Sequence, residues 1–287
     1  MPRLIPNVSP TDCSLTHGHG CPHRHLPSIP GAARLVLCVL LPLMAIGTPR
    51  AARSQACGVP GPAHDVTLLG QYSPPGFDTY SDVHGLSLLR EGTLVEIAII
   101  LGHRNGMSGA LVLDVTDPAA IDSIAFFPGP SFDVKTYVGD DDTLAYVCDD
   151  LPDATLTILD LGDPLHPEIV TAGVVPFHAH NLFVDPGRRL LYAGGNLTPS
   201  FRTRIYSLED PRNPVQIGDL PGPAFHDVHA FGSNSYLFDT RRQRLWVFRV
   251  EDGGSTAILG TASWRGAHIH SGWPTPDGNY LIAADEL

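Results

Sequence analysis

The sequence predicts an all-β fold, a β-propeller built from four-stranded blades. Three observations predict it. From residue 66 onward no stretch holds an apolar period of 3.6 residues; short runs of Val, Ile, Leu, Tyr and Phe alternate with clusters of Gly, Pro, Asp and Asn. One turn motif recurs at a nearly fixed interval, and a separate polar motif recurs in the same rhythm. The composition agrees: 29 Gly and 27 Pro among 287 residues, with only 17% charged, suit a turn-rich β protein better than a helical or disordered one.

The chain opens on residues 1–33, rich in Pro, His and Gly, which read as a disordered leader or an over-extended start. A His/Cys tract of this kind can also bind metal. Residues 34–56 read as a signal peptide. Arg34 precedes about a dozen apolar residues broken by Pro42, too short to span a bilayer but suited to a secretory apolar region. The small-x-small site Ser54-Gln55-Ala56 places cleavage after Ala56, with no transmembrane helix left in the mature chain. Three of five cysteines fall before that point. Cys57 and Cys148 remain as a disulfide or as two thiols.

The region 57–287 carries the repeats. Leu111-Val112-Leu113-Asp114-Val115-Thr116-Asp117-Pro118 returns as Leu156-Thr157-Ile158-Leu159-Asp160-Leu161-Gly162-Asp163-Pro164. It returns again as Ile205-Tyr206-Ser207-Leu208-Glu209-Asp210-Pro211, and more loosely over 245–252. The closing Asp residues 117, 163, 210 and 252 stand 46, 47 and 42 apart. Asp-Pro initiates a turn, because Asp caps its own backbone and Pro fixes φ at the corner. The polar step is Asp82, Asp133, Asn181, Asp227 and Ser271, spaced 51, 48, 46 and 44 residues apart. After each step comes an aliphatic, often Tyr-bearing strand. Four strands in about 45 residues is the size of a propeller blade. About four to five repeats are present, so the ring reads as incomplete.

In a propeller the inner strand of each blade lines a central channel, and the polar step is the best candidate for that strand. Alternation points Asp227 and His229 to one face and His226 and Val228 to the other. The imidazoles His178, His180, His226, His229, His268 and His270 fall at H-x-H or H-x-x-H spacing in three consecutive units. Converging with Asn181 and the carboxylates Asp82, Asp133, Asp227, Asp285 and Glu286, they form a candidate metal cluster. Imidazole favours zinc, iron or manganese; carboxylates favour calcium. The competing reading is a polar ladder in which each step bonds to the backbone of the neighbouring blade. Trp246, Trp264 and Trp273 read as blade packing.

The motifs Tyr80-Ser81-Asp82-Val83-His84-Gly85, Asp114-Val115-Thr116-Asp117-Pro118, Phe132-Asp133-Val134-Lys135 and His180-Asn181-Leu182-Phe183 continue through His226-Asp227-Val228-His229, His270-Ser271-Gly272-Trp273 and Asp285-Glu286-Leu287. This order resembles the LVIVD-repeat proteins, specifically the choice-of-anchor B family of exported bacterial propellers, over about residues 64–287. The resemblance implies a cell-surface protein whose relatives carry Trp where His84 stands here. It also implies a chain truncated at its C-terminus, without the anchoring segment.

The net charge of −12 excludes nucleic acid as the natural partner. The function expected is that of an exported cell-surface or periplasmic binding module for a protein or surface-polymer partner, leaning away from an enzyme. The alternatives are a metal-dependent hydrolase working through the His/Asp channel cluster, and a purely structural repeat protein. No catalytic or cofactor-binding residue is assigned.

Overall fold

The structure is a computed structural model that describes residues 67–151, 155–174, 179–194, 202–222 and 225–286. The leader, the signal segment, Cys57, His178 and Leu287 lie outside the described residues.

Every described element is a strand. The first sheet is β1 (Phe77–Arg90), β2 (Thr93–Arg104), β3 (Met107–Asp114) and β4 (Asp122–Pro128). The second is β5 (Asp133–Val138), β6 (Thr143–Cys148), β7 (Leu156–Asp160) and β8 (Glu168–Val174). The third is β9 (Asn181–Asp185), β10 (Leu190–Gly194), β11 (Arg204–Ser207) and β12 (Val215–Asp219). The fourth is β13 (Asp227–Phe231), β14 (Asn234–Asp239), β15 (Arg244–Val250) and β16 (Thr256–Ala262). A two-stranded sheet of β17 (Ile269–Pro274) and β18 (Leu281–Asp285) follows. Each is an antiparallel meander in chain order. The inner strands β1, β5, β9, β13 and β17 pack against one another in that order. This is the blade arrangement of a β-propeller.

The repeated residues do repeated work. Asp117, Asp163 and Asp210 each accept a hydrogen bond from the backbone N–H two residues on, at 2.9, 3.2 and 3.1 Å. They are the Asx turns that carry the third strand into the fourth. Each third-to-fourth strand pairing also contains a register shift at a matching place, 112/113, 158/159, 205/206 and 247/248, and the second sheet has a further one at 156/158. A bulge at the same place in every blade bends the outer strand.

The hydrophobic core is divided among the junctions between blades. Ile97, Ile99 and Val112 of the first sheet meet Val134, Ala145 and Val147 of the second. Tyr146 and Ile158 meet Leu182 and Leu191. Tyr192 and Ile205 meet Val228, Leu237 and Phe248. Phe238 and Leu245 meet Ile269 and Leu281. A blade is therefore covered on a face only by its neighbour. Polar staples reinforce the junctions: the Tyr146 hydroxyl donates to the Pro211 carbonyl at 2.7 Å, and Arg212 bridges Asp142 and Asp160 at 2.7 and 2.6 Å. Cys148 is a buried free thiol whose Sγ donates to the Ala179 carbonyl at 3.3 Å; burial pushes its pKa well up.

Candidate ligand site in the central cavity

The five inner strands line a half-open cavity of about 770 Å³. Each contributes side chains at matching positions, so the wall is built in rows, with one residue per blade.

The first row is the polar step. Asp82 accepts a hydrogen bond from the backbone N–H of Val134 in the next blade, at 3.2 Å. Asp133 accepts one from Leu182 N–H in the blade after that. Asn181 donates from Nδ2 to the His226 carbonyl at 2.7 Å. These are the rungs of the polar ladder. Lys135 binds both acids, reaching Asp82 at 3.3 Å, the Val134 carbonyl at 3.0 Å, and Asp133 more closely. Asp133 is only 3% exposed, and burial with an Asp82 hydrogen bond pushes its pKa well up. Burial would raise Asp82 too, but the Asp133 hydrogen bond and the Lys135 charge outweigh it and hold Asp82 low.

Asp227 breaks the ladder. Its carboxylate accepts a bond from its own neighbour Val228 N–H at 2.7 Å and reaches no backbone group of the next blade. Burial pushes its pKa up to about 6.

The second row lies one residue before the step. Phe132, His180, His226 and His270 form a continuous row of tilted and edge-on ring contacts, with successive ring centroids 4.4, 4.7 and 4.0 Å apart. The backbone N–H groups of Phe132, His180 and His226 bond to Cys148, Gly194 and Phe238 carbonyls. This adds one pair to each inner ladder and fixes the rings in register. His180 bonds through Nδ1 to Asp150 at 3.0 Å and through Nε2 to His226 Nε2 at 3.1 Å. His226 Nδ1 makes no hydrogen bond. Burial, then the neighbouring His270 and His180, hold the His226 pKa at about 4. His270 Nε2 stands 3.7 Å from Glu286.

The third row lies two residues after the step: His84, Lys135, Phe183, His229 and Trp273. The His229 ring is packed at 4.2 Å from Phe183 and 4.0 Å from Trp273. It is 6% exposed, and neither ring nitrogen makes a hydrogen bond. Burial holds its pKa at about 4. His84 bonds Thr136 at 3.0 Å and stands outside the cavity lining.

The structure therefore brings Asp82, Asp133, His180, Asn181, His226, Asp227, His229, His270 and Glu286 onto one wall. It does not bring His268 or Asp285 there. His268 precedes β17, and a register shift between 269 and 271 takes it out of line with His270. Its backbone N–H instead bonds the Asp285 carboxylate at 3.0 Å. The predicted alternation is also corrected: His226 lies just before β13, so strand alternation does not govern it, and it shares the cavity with Asp227 and His229. Trp273 is a further correction. Trp246 and Trp264 pack against the cores, but Trp273 sits in the third row on the cavity wall and is 64% exposed.

The donor set does not converge on one ion. Among the described residues no three His, Cys, Asp or Glu side chains are grouped to hold a metal. His180 and His226 spend facing nitrogens on each other, and Asp133 is taken up by Lys135 and Leu182 N–H. Among the contributors that escaped the sequence reading are Lys135, Asp150 and Trp273. Asp150 holds no repeat position and lies after β6, so nothing in the spacing marks it. Trp273 was discoverable, since it follows Ser271 by the same two residues that separate His229 from Asp227.

No protein-family model and no curated protein matches the chain. Solved structures do. A putative 6-phosphogluconolactonase from Bacteroides uniformis is 17% identical, with a TM-score of 0.54 over 66% of this chain and 60% of its own. A functionally unknown protein from Desulfotomaculum acetoxidans is 12% identical, with a TM-score of 0.61 over 77% and 68%. The periplasmic gluconolactonase of Pseudomonas aeruginosa is 15% identical, with a TM-score of 0.52 over 66% and 62%. The chain thus spans about three fifths of the length of the two lactonase-named structures. At these identities the likeness is one of fold, the β-propeller.

Proposed function

We propose that the protein is an exported propeller of the LVIVD-repeat, choice-of-anchor B kind that acts as a binding module, with the central cavity as its ligand site. The observation that carries this is the set of unbonded, buried imidazole nitrogens on the cavity wall: both of His229 and Nδ1 of His226. Buried polar atoms are ordinarily paired, and a site whose polar groups lack protein partners is one that a ligand or water completes. The ladder accounts for Asp82, Asp133 and Asn181 but leaves these atoms over. The apolar run before Ala56 supports export, as does the periplasmic source of one similar fold.

The test is a ligand screen by native mass spectrometry and thermal shift, with bound metals measured in parallel. Ser271→Trp, placed to fill the cavity from β17, serves as the blocked form. Ligand capture that the blocked form loses supports the reading. Capture that it retains moves the site elsewhere and defeats it.

A second reading, hydrolysis, is favoured by Asp227, a half-buried carboxylate on the cavity wall whose pKa is pushed up to about 6, towards the working range of a general base. Lactone hydrolysis abolished by Asp227→Asn, with ligand binding intact, is its expected signature. For a metal-dependent form, the described residues offer no group of three donors around one point.

A further inference from the structure

The rows of the cavity wall also indicate what chemistry they accept. Trp273 projects from β17 at the cavity wall. Its ring is propped by His229 at 4.0 Å and 74°, and by Phe183 at 6.5 Å and 71°. Both are edge-type contacts, which fix the plane of the indole while 64% of the residue stays uncovered. An aromatic face held in this way is a platform for a flat apolar surface.

Beside it lie the unbonded nitrogens. A neutral imidazole offers one donor and one acceptor, and both of His229's are unused. His226 adds a third unpaired nitrogen from the next row. A hydroxyl group donates and accepts, so it can satisfy any of them whichever tautomer is present.

Charge narrows the choice. The ionisable carboxyls on the lining are Asp82, Asp133, Asp227 and Glu286, and Lys135 is the sole Lys or Arg among the described lining residues. The Lys135 ammonium is already committed to Asp82, Asp133 and the Val134 carbonyl. An anion entering this cavity would lose its hydration and meet no free cation. The Asp82 and Asp133 carboxylates are likewise engaged by Lys135 and by backbone N–H groups, which leaves little for an ammonium ligand on that side. On the other side Asp227 accepts only the Val228 N–H and Glu286 stands 3.7 Å from His270, so both have acceptor capacity for ligand hydroxyls, and glucosamine as a probe separates that role from recognition of an ammonium.

We infer that the cavity takes an uncharged polyhydroxyl compound, a hexose or sugar lactone, with its apolar face against Trp273 and its hydroxyls on His229 and His226. This rests on the cavity being the ligand site and specifies the ligand class. The described lining disfavours a phosphorylated sugar, since it offers no uncommitted Lys or Arg.

The test uses the full chain and saturation-transfer NMR with calorimetry. The probes are glucose, galactose, mannose, a hexonolactone, glucosamine and glucose 6-phosphate. At least one neutral probe is expected to bind saturably, with glucose 6-phosphate weaker by roughly tenfold or more because its charge is buried unpaired. Trp273→Ala is expected to weaken the neutral probe by roughly tenfold, the scale of one aromatic stacking contact. Because the ring is largely exposed, this variant should melt near the parent, and Trp273→Phe should restore part of the binding. Three results would overturn the inference: no neutral probe binds, glucose 6-phosphate binds as tightly, or Trp273→Ala binds like the parent. If glucosamine alone binds and Ser271→Trp abolishes it, the sugar inference falls while the cavity stands. If a neutral sugar binds equally to Ser271→Trp, both fall.

Discussion

Asp133 and Asp227 occupy the same position in two blades, and their surroundings differ in kind. Asp133 touches Lys135 and the backbone of the following blade, so both carboxylate oxygens are engaged. Asp227 meets only its own neighbour's N–H and is pushed up to about 6 by burial. The contrast extends along the wall. From Asp82 to Asn181 the polar groups join blade to blade. From His180 to Trp273 the rings pack tilted or edge-on against one another, and His226 and His229 keep nitrogens without hydrogen bonds. One repeat thus has two kinds of surroundings: half of the wall joins blade to blade, and half leaves buried imidazole nitrogens without hydrogen bonds.

Removing Asp133 should show the largest effect. Asp133→Ala removes one of the two carboxylates on Lys135, leaving Asp82 at 3.3 Å, and orphans the Leu182 N–H. The expected loss is about 3–4 kcal/mol, read by urea unfolding, from one charged hydrogen bond and one buried unsatisfied donor. A loss under about 1 kcal/mol would mean that the first half of the wall is not structural.

Asp227→Asn should do the opposite. The folded pKa lies above the unfolded one, so the stability Asp227 contributes is complete below about 3.8 and is lost as pH rises through about 6. Asn keeps the acceptor for Val228 N–H without the charge, and a gain of about 2–3 kcal/mol at pH 7 is expected. The pH profile sharpens this. His226 and His229 titrate at about 4 in the fold, below their ordinary 6.5, so they cost stability as pH falls from 6.5 toward 4. Asp227 opposes them in that window. In Asp227→Asn the urea midpoint should therefore climb more steeply between pH 4 and 6.5 than in the parent.

Asn181→Ala, which removes one neutral rung between blades, should cost about 1 kcal/mol, again by urea unfolding. Smallest of all, Arg212→Ala should cost under about 1 kcal/mol, since that ion pair is half exposed on the outer surface. A larger cost there would place the inter-blade stability at the rim rather than at the channel.

The blades were legible in the sequence because their markers are backbone devices. An Asp-Pro turn has to sit where the chain reverses, so its spacing counts blades directly. The polar step was equally legible as the inner strand, since one buried polar residue per repeat in an apolar run needs a shared polar environment. What spacing could not give was the division of labour. Asp133 and Asp227 look alike in sequence, and only the Lys two residues after Asp133, against His229 two residues after Asp227, separates them. His268 looked like a partner of His270, but H-x-H places two rings on one face only within a regular strand, and a register shift interrupts this one. Asp150 orients His180 from a loop that no period reaches.

The division of the wall is tested most directly by melting Asp133→Ala and Trp273→Ala side by side, with and without a saturating neutral hexose or hexonolactone. A ligand that binds only the folded chain raises its melting temperature in proportion to binding. Asp133→Ala should melt well below the parent yet gain the parent's full ligand-induced rise. Trp273→Ala should melt near the parent and gain almost none. Loss of the ligand-induced rise in both variants, or in Asp133→Ala alone, would contradict a wall split into a structural half and a ligand half.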